Sequence, residues 1–396
     1  MLEKALSGSR RYYGWLAFLG IVIVVGVIAY CRQFSHGLGL TGMSRDVTWG
    51  LYISQFTFLV GVAASGVMVA IPYYLHNYKA FAKIVILGEF LAVAAVLMAM
   101  LFIFVDLGQP VRVLNVLLHP TPHSVMFWDM CVLCGYLVLN ILIGWTALGA
   151  EKKGFPPPRW TKTLAYIAIP WAVSIHTVTA FLYAGLPGRY YWLSAIMAAR
   201  FLSSAFAAGP ALLILLCLIV RRYSSFKASD ESIGALAKIV CYAMITNVFF
   251  FLLEVFTAFY SNIPGHKAAL LYLFFGLEGH ANLVPFMWLA ALLAFFGILL
   301  LTVPKWRRGK KTLPAALVAV FAACWLDKGL GLILGGFVPN SFERVVEYIP
   351  TVNEILVVMG VYGIGFFVLT ILYKVAVAIR ETGKGGPEAP TPLPEQ

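Results

Sequence analysis

Three polar side chains share one face of an apolar stretch in the middle of the chain. The segment "IPWAVSIHTVTAFLYAGLPGRYYW", residues 169–192, contains His176, Thr179 and Tyr183. The spacing i, i+3, i+7 places them on the same side of an α-helix. Imidazole, hydroxyl and phenol can each hydrogen-bond a carbonyl oxygen, and imidazole can also take up a proton near neutral pH. The pattern favours a ligand with carbonyl groups and an apolar body, such as a quinone.

Carboxylic acids fall in the same predicted layer. Asp106 ends the third apolar segment and Asp129 lies one turn into the fourth. We take His176, Asp129 and Asp106 as candidate catalytic groups, because an ionisable side chain in hydrocarbon is costly unless it is paired or hydrated. Glu254 has a similar depth in the seventh segment, whereas Glu89 lies in the opposite half of the third. Both glutamates are candidates for proton transfer.

Each of these groups also has a structural explanation. His176, or Glu254 in its protonated form, could simply hydrogen-bond a neighbouring helix. Asp327 and Lys328 are adjacent and would point about 100° apart on a helix, which favours separate partners or a lysine that reaches outward. The six cysteines form no iron–sulfur or haem attachment motif, and none of the other histidines matches the depth of His176. We therefore expect no metal, haem or iron–sulfur cluster bound by this chain.

Membrane-spanning helices are expected to hold these groups in place. Of the 396 residues, 61% are hydrophobic and only 12% are charged, whereas soluble domains carry about 25% charged residues. Apolar runs of about 20 residues, the length that crosses a bilayer, fill the chain. The sequence predicts an all-α polytopic membrane protein with ten transmembrane helices, at about 12–31, 50–76, 84–106, 124–148, 162–185, 201–220, 236–260, 282–303, 313–336 and 353–377.

The positive charge is distributed unevenly between the two sides of this arrangement. Of the 29 Lys and Arg residues, 21 fall on the side that holds both ends of the chain, and Lys328 falls within a span. The other side has seven: Arg32, Arg45, Arg112, Arg189, Arg200, Lys267 and Arg344. The positive-inside rule then predicts that both termini are cytoplasmic, in a cell membrane. The net charge of +12 is thus a topology signal that anionic lipid headgroups offset, and no nucleic-acid partner is expected.

Function is expected at the outer side, because its connections are longer and richer in Gly, Pro and His than the cytoplasmic loops. Arg112 and Arg189 lie there, near the outer end of the His176 helix, and are further candidates for quinone binding. Residues 1–380 are predicted to form a single integral membrane domain. Residues 381–396 are Pro-rich and polar, which predicts a disordered cytoplasmic tail.

Several motifs spread over nearly the whole chain carry a family resemblance. They are "TGMSRDVTWGLYI", "DLGQPVRV" with "SVMFWD", "IPWAVSIHTVTAF", "LEVFTAFYS" and "VEYIPTVNEI". With them the chain resembles the NrfD/PsrC-like (polysulfide reductase) integral membrane subunit family. It is most similar to the DsrP/HmcC branch of sulfur-metabolism membrane complexes.

The resemblance implies two four-helix bundles, helices 2 to 5 and 6 to 9, flanked by helices 1 and 10. It also implies a site for menaquinone or another quinone as substrate near the outer face. A ferredoxin-like iron–sulfur subunit would dock beside that site, in a complex with further cytochrome c, cytochrome b and iron–sulfur subunits. The chain would then be a subunit of a menaquinol-linked oxidoreductase complex rather than an enzyme on its own.

One departure concerns protons. Some relatives carry an aspartate six residues after the helix 5 histidine, and here that position is Leu182. The resemblance therefore implies quinone binding more strongly than proton pumping.

Two other functions remain open from the sequence. A proton- or ion-coupled transporter would also need acids within the membrane, together with broken helices and a midplane cavity, which the sequence does not reveal. A non-catalytic membrane anchor of redox subunits would bind no quinone.

Overall fold

Ten long apolar helices make up most of the molecule. The computed structural model describes residues 3, 5, 7–224, 226 and 228–382, and no strand occurs among them. We number the ten helices that are long and apolar enough to cross a membrane α1 to α10. Their bounds are Arg10–His36, Leu51–Leu75, Val85–Asp106, Val125–Lys153, Arg159–Ala184, Met197–Tyr223, Asp230–Tyr260, Val284–Thr302, Thr312–Gly335 and Val352–Glu381. The prediction of an all-α protein with ten transmembrane helices is confirmed.

The helices begin and end at residues that suit helix termini. The Ser9 hydroxyl accepts a hydrogen bond from Tyr12 N at 3.3 Å and caps α1. Ser229 caps α7 in the same way, with an N···O distance of 3.1 Å to Ser232 N. Such bonds satisfy amide groups that the first helical turn leaves free. Gly154 ends α4 with φ of 73°, a left-handed conformation that glycine adopts without a side-chain clash.

Short helices occupy several connections. Leu38–Leu40, Pro110–Arg112, Asn115–Leu118 and Pro264–Phe274 lie on the predicted outer side, and Lys79–Phe81 and Pro304–Arg307 lie on the predicted cytoplasmic side. Helix α6 begins at Met197, earlier than predicted. Arg200 therefore belongs to a spanning helix, and its assignment to an outer loop in the charge count was wrong.

Two of the spanning helices are irregular. Helix α2 is interrupted at residues 63–64 and ends in the π-helical turn Ile71–Leu75. Helix α9 changes to a π-helix at Trp325–Gly331. Helix α6 packs closely against the α2 interruption, where a Cβ added at Gly209 would lie 2.8 Å from Ser65 N. The sequence did not predict broken helices, so these interruptions differ from the expected continuous spans.

The helices pack as two neighbouring groups. Helices α2, α3, α4 and α5 contact one another in series, and so do α6, α7, α8 and α9, while α10 packs against both α1 and α3. Helix α2 joins the groups through contacts with α6 and with the π-helical part of α9. These contacts accord with the expected two-bundle arrangement, which stays a prediction. The predicted single domain also stays a prediction, and of the predicted tail, residues 383–396 lie outside the described part of the chain.

Candidate functional site

His176 is completely enclosed by the protein. It lies on the face of α5 that packs against other helices, and its side chain has no exposed surface. Within the described chain, both ring nitrogens are buried and have no hydrogen-bond partner. A buried polar atom without a partner costs free energy of about 1–3 kcal/mol. The imidazole is therefore available to a donor or an acceptor that would remove this cost.

One helical turn further along, Thr179 connects α5 to α4. Its hydroxyl donates a hydrogen bond to Asp129 Oδ1, with an O···O distance of 2.6 Å, and both residues are buried. Thr179 lies on the His176 face of α5, as its spacing predicted. Its hydrogen bond holds Asp129 of α4 beside that face. Such a short bond between a hydroxyl and a carboxyl fixes the carboxyl in position.

Tyr183 completes this face of α5. Its hydroxyl lies 2.5 Å from Thr57 Oγ1 in α2. Since the Thr57 hydroxyl donates to the carbonyl of Ile53 at 2.7 Å, Tyr183 must donate to Thr57. The Tyr183 ring also packs edge-on against Trp49 and Trp192, with centroids 5.6 and 5.3 Å away. The phenol group is consequently held rigidly between two helices.

The two arginine candidates differ in their surroundings. Arg189 lies beyond the C-terminal end of α5, where its guanidinium stacks on Phe337 at 4.5 Å, close to the aromatic group around Tyr183. Partial burial lowers the pKa of Arg189 from its usual value. Arg112 lies in the turn Pro110–Arg112 and is exposed. Of the two, only Arg189 is linked to the His176 face by packing.

Asp106 lies at the end of α3, next to a different group of polar residues. There, Tyr52 donates to Gln33 Oε1 at 2.6 Å, and Gln33 Nε2 donates to the carbonyl of Val105 at 2.7 Å. Asp106 Oδ1 is buried and has no partner among the described residues. Asp106 directly follows Val105 in α3 and therefore lies beside the Tyr52–Gln33 group.

Glu89 is in the other half of α3, as predicted. It is buried, and its Oε2 has no partner in the described chain. A small cavity lined by Glu89, Tyr136 and Asn140 has room for about one water molecule. A carboxyl beside such a space can hold and release a proton.

Glu254 is held in an ion-pair network that the sequence did not reveal. Arg200 of α6 bonds Glu254 of α7, and its second terminal nitrogen lies 3.1 Å from Asp327 Oδ2 of α9. The predicted sixth span began at residue 201, so Arg200 was placed just outside the helix, which begins at Met197. Asp327 and Lys328 have different partners, as their adjacent positions predicted.

Glu354, at the start of α10, was also missed. It has no exposed surface and accepts hydrogen bonds from the backbone N of Gly42 at 2.9 Å and from the Tyr348 hydroxyl. It lies within "VEYIPTVNEI", one of the motifs noted above. Through the bond with Gly42, Glu354 links α10 to the connection between α1 and α2.

No group of three or more potential metal ligands from His, Cys, Asp and Glu occurs among the described residues. The side chains of the site carry imidazole, hydroxyl and carboxyl groups. They offer hydrogen bonds and sites for protons in a largely apolar setting.

Residues 39–338 match the family model described as "Polysulphide reductase, NrfD". The chain belongs to this family. As a member of the NrfD family it is similar over nearly its full length to several named proteins. The matched region contains all the candidate site residues, from Glu89 to Glu254.

Three relatives of this NrfD family protein are named as parts of different oxidoreductases. The putative dimethyl sulfoxide reductase membrane subunit of Halobacterium salinarum is 28% identical, over 90% of this chain and 89% of its own. A selenate reductase subunit of Mesobacillus selenatarsenatis is 23% identical over 98% of both chains. The Hdr-like menaquinol oxidoreductase integral membrane subunit of Archaeoglobus fulgidus is 23% identical over 96% of both.

Proposed function

We propose that this chain is the quinone-reactive membrane subunit of a respiratory electron-transfer complex. The observation that carries the proposal is His176, whose two free ring nitrogens are buried one turn from the Asp129–Thr179 pair. Membership of the NrfD family and the name of the menaquinol oxidoreductase relative support it. Menaquinone or another quinone is the proposed substrate, because its ring carbonyls need hydrogen-bond donors and its tail needs an apolar environment.

The roles of the residues follow from their positions. His176 hydrogen-bonds a quinone oxygen and accepts a proton when quinol is oxidised, while Thr179 and Tyr183 shape the same face. Asp129 and Asp106 pass protons toward the outer side.

Arg189 and Arg112 lie at the outer end, where they orient the quinone or a docked subunit. Glu89 and Glu254 are the groups proposed to move protons elsewhere in the chain.

The wider setting is also part of the proposal. The chain lies in the cell membrane with both termini in the cytoplasm, and it belongs to the DsrP/HmcC branch, which is linked to sulfite or sulfate metabolism. It exchanges electrons with a ferredoxin-like iron–sulfur subunit on the outer face. Further cytochrome c, cytochrome b and iron–sulfur subunits complete the assembly, and this chain itself binds no haem or cluster.

The test is His176→Ala in the assembled complex. We expect quinol-linked turnover to fall about 100-fold or more, the contribution typical of a positioned proton acceptor. Electron transfer from an artificial donor to the soluble subunits should be unchanged. Thr177→Ala is the matched control, since among the described residues the Thr177 hydroxyl bonds only the Val173 carbonyl of its own helix, at 2.9 Å. Full quinol turnover in an assembled His176→Ala complex would instead support the anchor function.

The irregular helices favour one second candidate, a proton- or ion-coupled transporter. Interrupted helices such as α2 and α9 are common at the binding sites of transporters. The purified chain, reconstituted alone into vesicles, would then carry an ion or proton flux without quinol. The quinone-reactive subunit should show no such flux.

A further inference from the structure

Lys328 is buried in an unusual part of the fold. It lies in the π-helical segment Trp325–Gly331 of α9, and only 4% of its surface is exposed. Short π-helical turns within α-helices occur frequently at functional sites. The segment packs against α2, so the amine enters the region where the two groups of helices meet.

The amine has few partners for a charged group. Its Nζ lies 4.0 Å from the centre of the Phe201 ring, and its one hydrogen-bond acceptor among the described residues is the Phe201 carbonyl, at 3.5 Å. The neighbouring carboxylate, Asp327, is directed to Arg200 instead. An ammonium group has three donors, and burying it without a counter-ion is costly. These surroundings suit a neutral amine, which has a lone pair free to accept a proton.

Packing directs this amine toward the candidate site. Gly61 of α2 leaves room for it, since a Cβ there would lie 3.3 Å from Lys328 Nζ. Phe201, which the amine contacts, also packs against Tyr183 with 5.8 Å between ring centroids. Gly61 also lies one turn along α2 from Thr57, which is hydrogen-bonded to Tyr183 of the His176 face. Two buried bases with unused hydrogen-bonding capacity therefore lie in the same region.

Building on the proposed function, we propose that Lys328 receives the proton that His176 takes from quinol. In this step an N–H bond of the imidazolium breaks and an N–H bond forms on the Lys328 amine, directly or through one water molecule. The imidazole returns to its neutral form, and no electrons move. The proton thereby passes from the α2–α5 group to α9, beside the Arg200 ion pairs.

The experiment compares Lys328→Met and Lys328→Arg in the assembled complex. Methionine keeps much of the volume but cannot take a proton, so we expect kcat for quinol oxidation to fall at least about 10-fold. KM for quinol should change by less than about twofold, because the quinone contacts of His176 are intact. Arginine should not restore turnover, since its guanidinium remains protonated. Lys310→Met, which removes an exposed lysine, is the control and should behave as wild type.

A second measurement separates proton transfer from packing. In Lys328→Ala, small primary amines such as ethylamine should restore turnover in proportion to their basicity, whereas an alcohol of equal size should not. Wild-type turnover in Lys328→Met, full activity in Lys328→Arg, or an assembled Lys328→Ala complex that no amine restores would each overturn the inference. If His176→Ala also keeps full turnover, the proposed function fails as well. If only the His176 variant loses turnover, this inference alone fails.

Discussion

The buried residue with the largest effect on stability is expected to be Arg200. Its side chain is 5% exposed and is paired with Glu254 and Asp327, which are 10% and 18% exposed. The guanidinium also lies 5.2 Å from the Phe251 ring centre. One cation thus compensates two acids on two other helices. Removing it leaves two acids in an apolar region, which is costlier than replacing the whole network with apolar residues would be.

Arg200→Met should therefore destabilise the protein by about 3–5 kcal/mol, the usual cost of breaking a buried ion pair from one side. Thermal unfolding in detergent would measure this as a clear fall in Tm. Arg221→Met is the matched control. Its pair with Asp230, 2.5 Å long, is 40% and 84% exposed, and an exposed pair contributes about 0–1 kcal/mol. Equal losses for the two variants would show that burial does not set the cost.

Among the helices, α1 and α10 approach each other most closely at two glycines. A Cβ added at Gly26 would lie 2.3 Å from Gly360 Cα, and one added at Gly360 would lie 2.6 Å from Gly26 Cα. Small residues allow such close backbone contact between membrane helices, where dispersion forces rather than hydrophobic burial drive association. Helix α1 packs mainly against α10, so this crossing holds α1 to the rest of the molecule.

Gly26→Ala should push α1 and α10 apart, because the clash is with backbone atoms that cannot rotate away. We expect a loss of about 1–3 kcal/mol, as for other overpacked contacts. Gly20→Ala is the control on the same helix, since no atom of the described part of the chain lies within 4 Å of a Cβ there. Limited proteolysis and thermal unfolding should distinguish the two. A Gly26→Ala protein as stable as Gly20→Ala would contradict this role for the crossing.

At the scale of the whole molecule, the charge asymmetry predicts the orientation in the membrane. Two of the seven Lys and Arg residues counted on the predicted outer side, Arg32 and Arg200, lie within α1 and α6, and several of the 21 on the other side, such as Lys238 and Arg380, also lie within helices. The count of 21 against seven from the sequence is therefore the basis of the predicted orientation. Both termini are predicted to be cytoplasmic.

Single cysteines at two exposed positions test this orientation. His119 lies on the predicted outer side and Lys310 on the predicted cytoplasmic side, and both are exposed. Cys31 is exposed, so it is first replaced by serine. In that background, an impermeant maleimide should label His119→Cys in intact cells. Lys310→Cys should react only after the membrane is opened. The reverse pattern would show that the orientation is inverted.

Local sequence was enough to predict the helices and the face of α5 that carries the candidate site. Segment length reflects the thickness of the bilayer, and the helical repeat aligns His176, Thr179 and Tyr183, so neither depends on distant parts of the chain. Membership of the NrfD family was also predicted correctly from local motifs.

The partners of these groups depend instead on how the helices pack. Thr179 meets Asp129, 50 positions away, and Arg200 meets Asp327, 127 positions away. A hydrogen bond requires its atoms within about 3 Å, and helix packing rather than sequence spacing sets that distance. For the same reason the π-helical segment around Lys328 was not foreseen, because it depends on how α9 fits against α2 and α6.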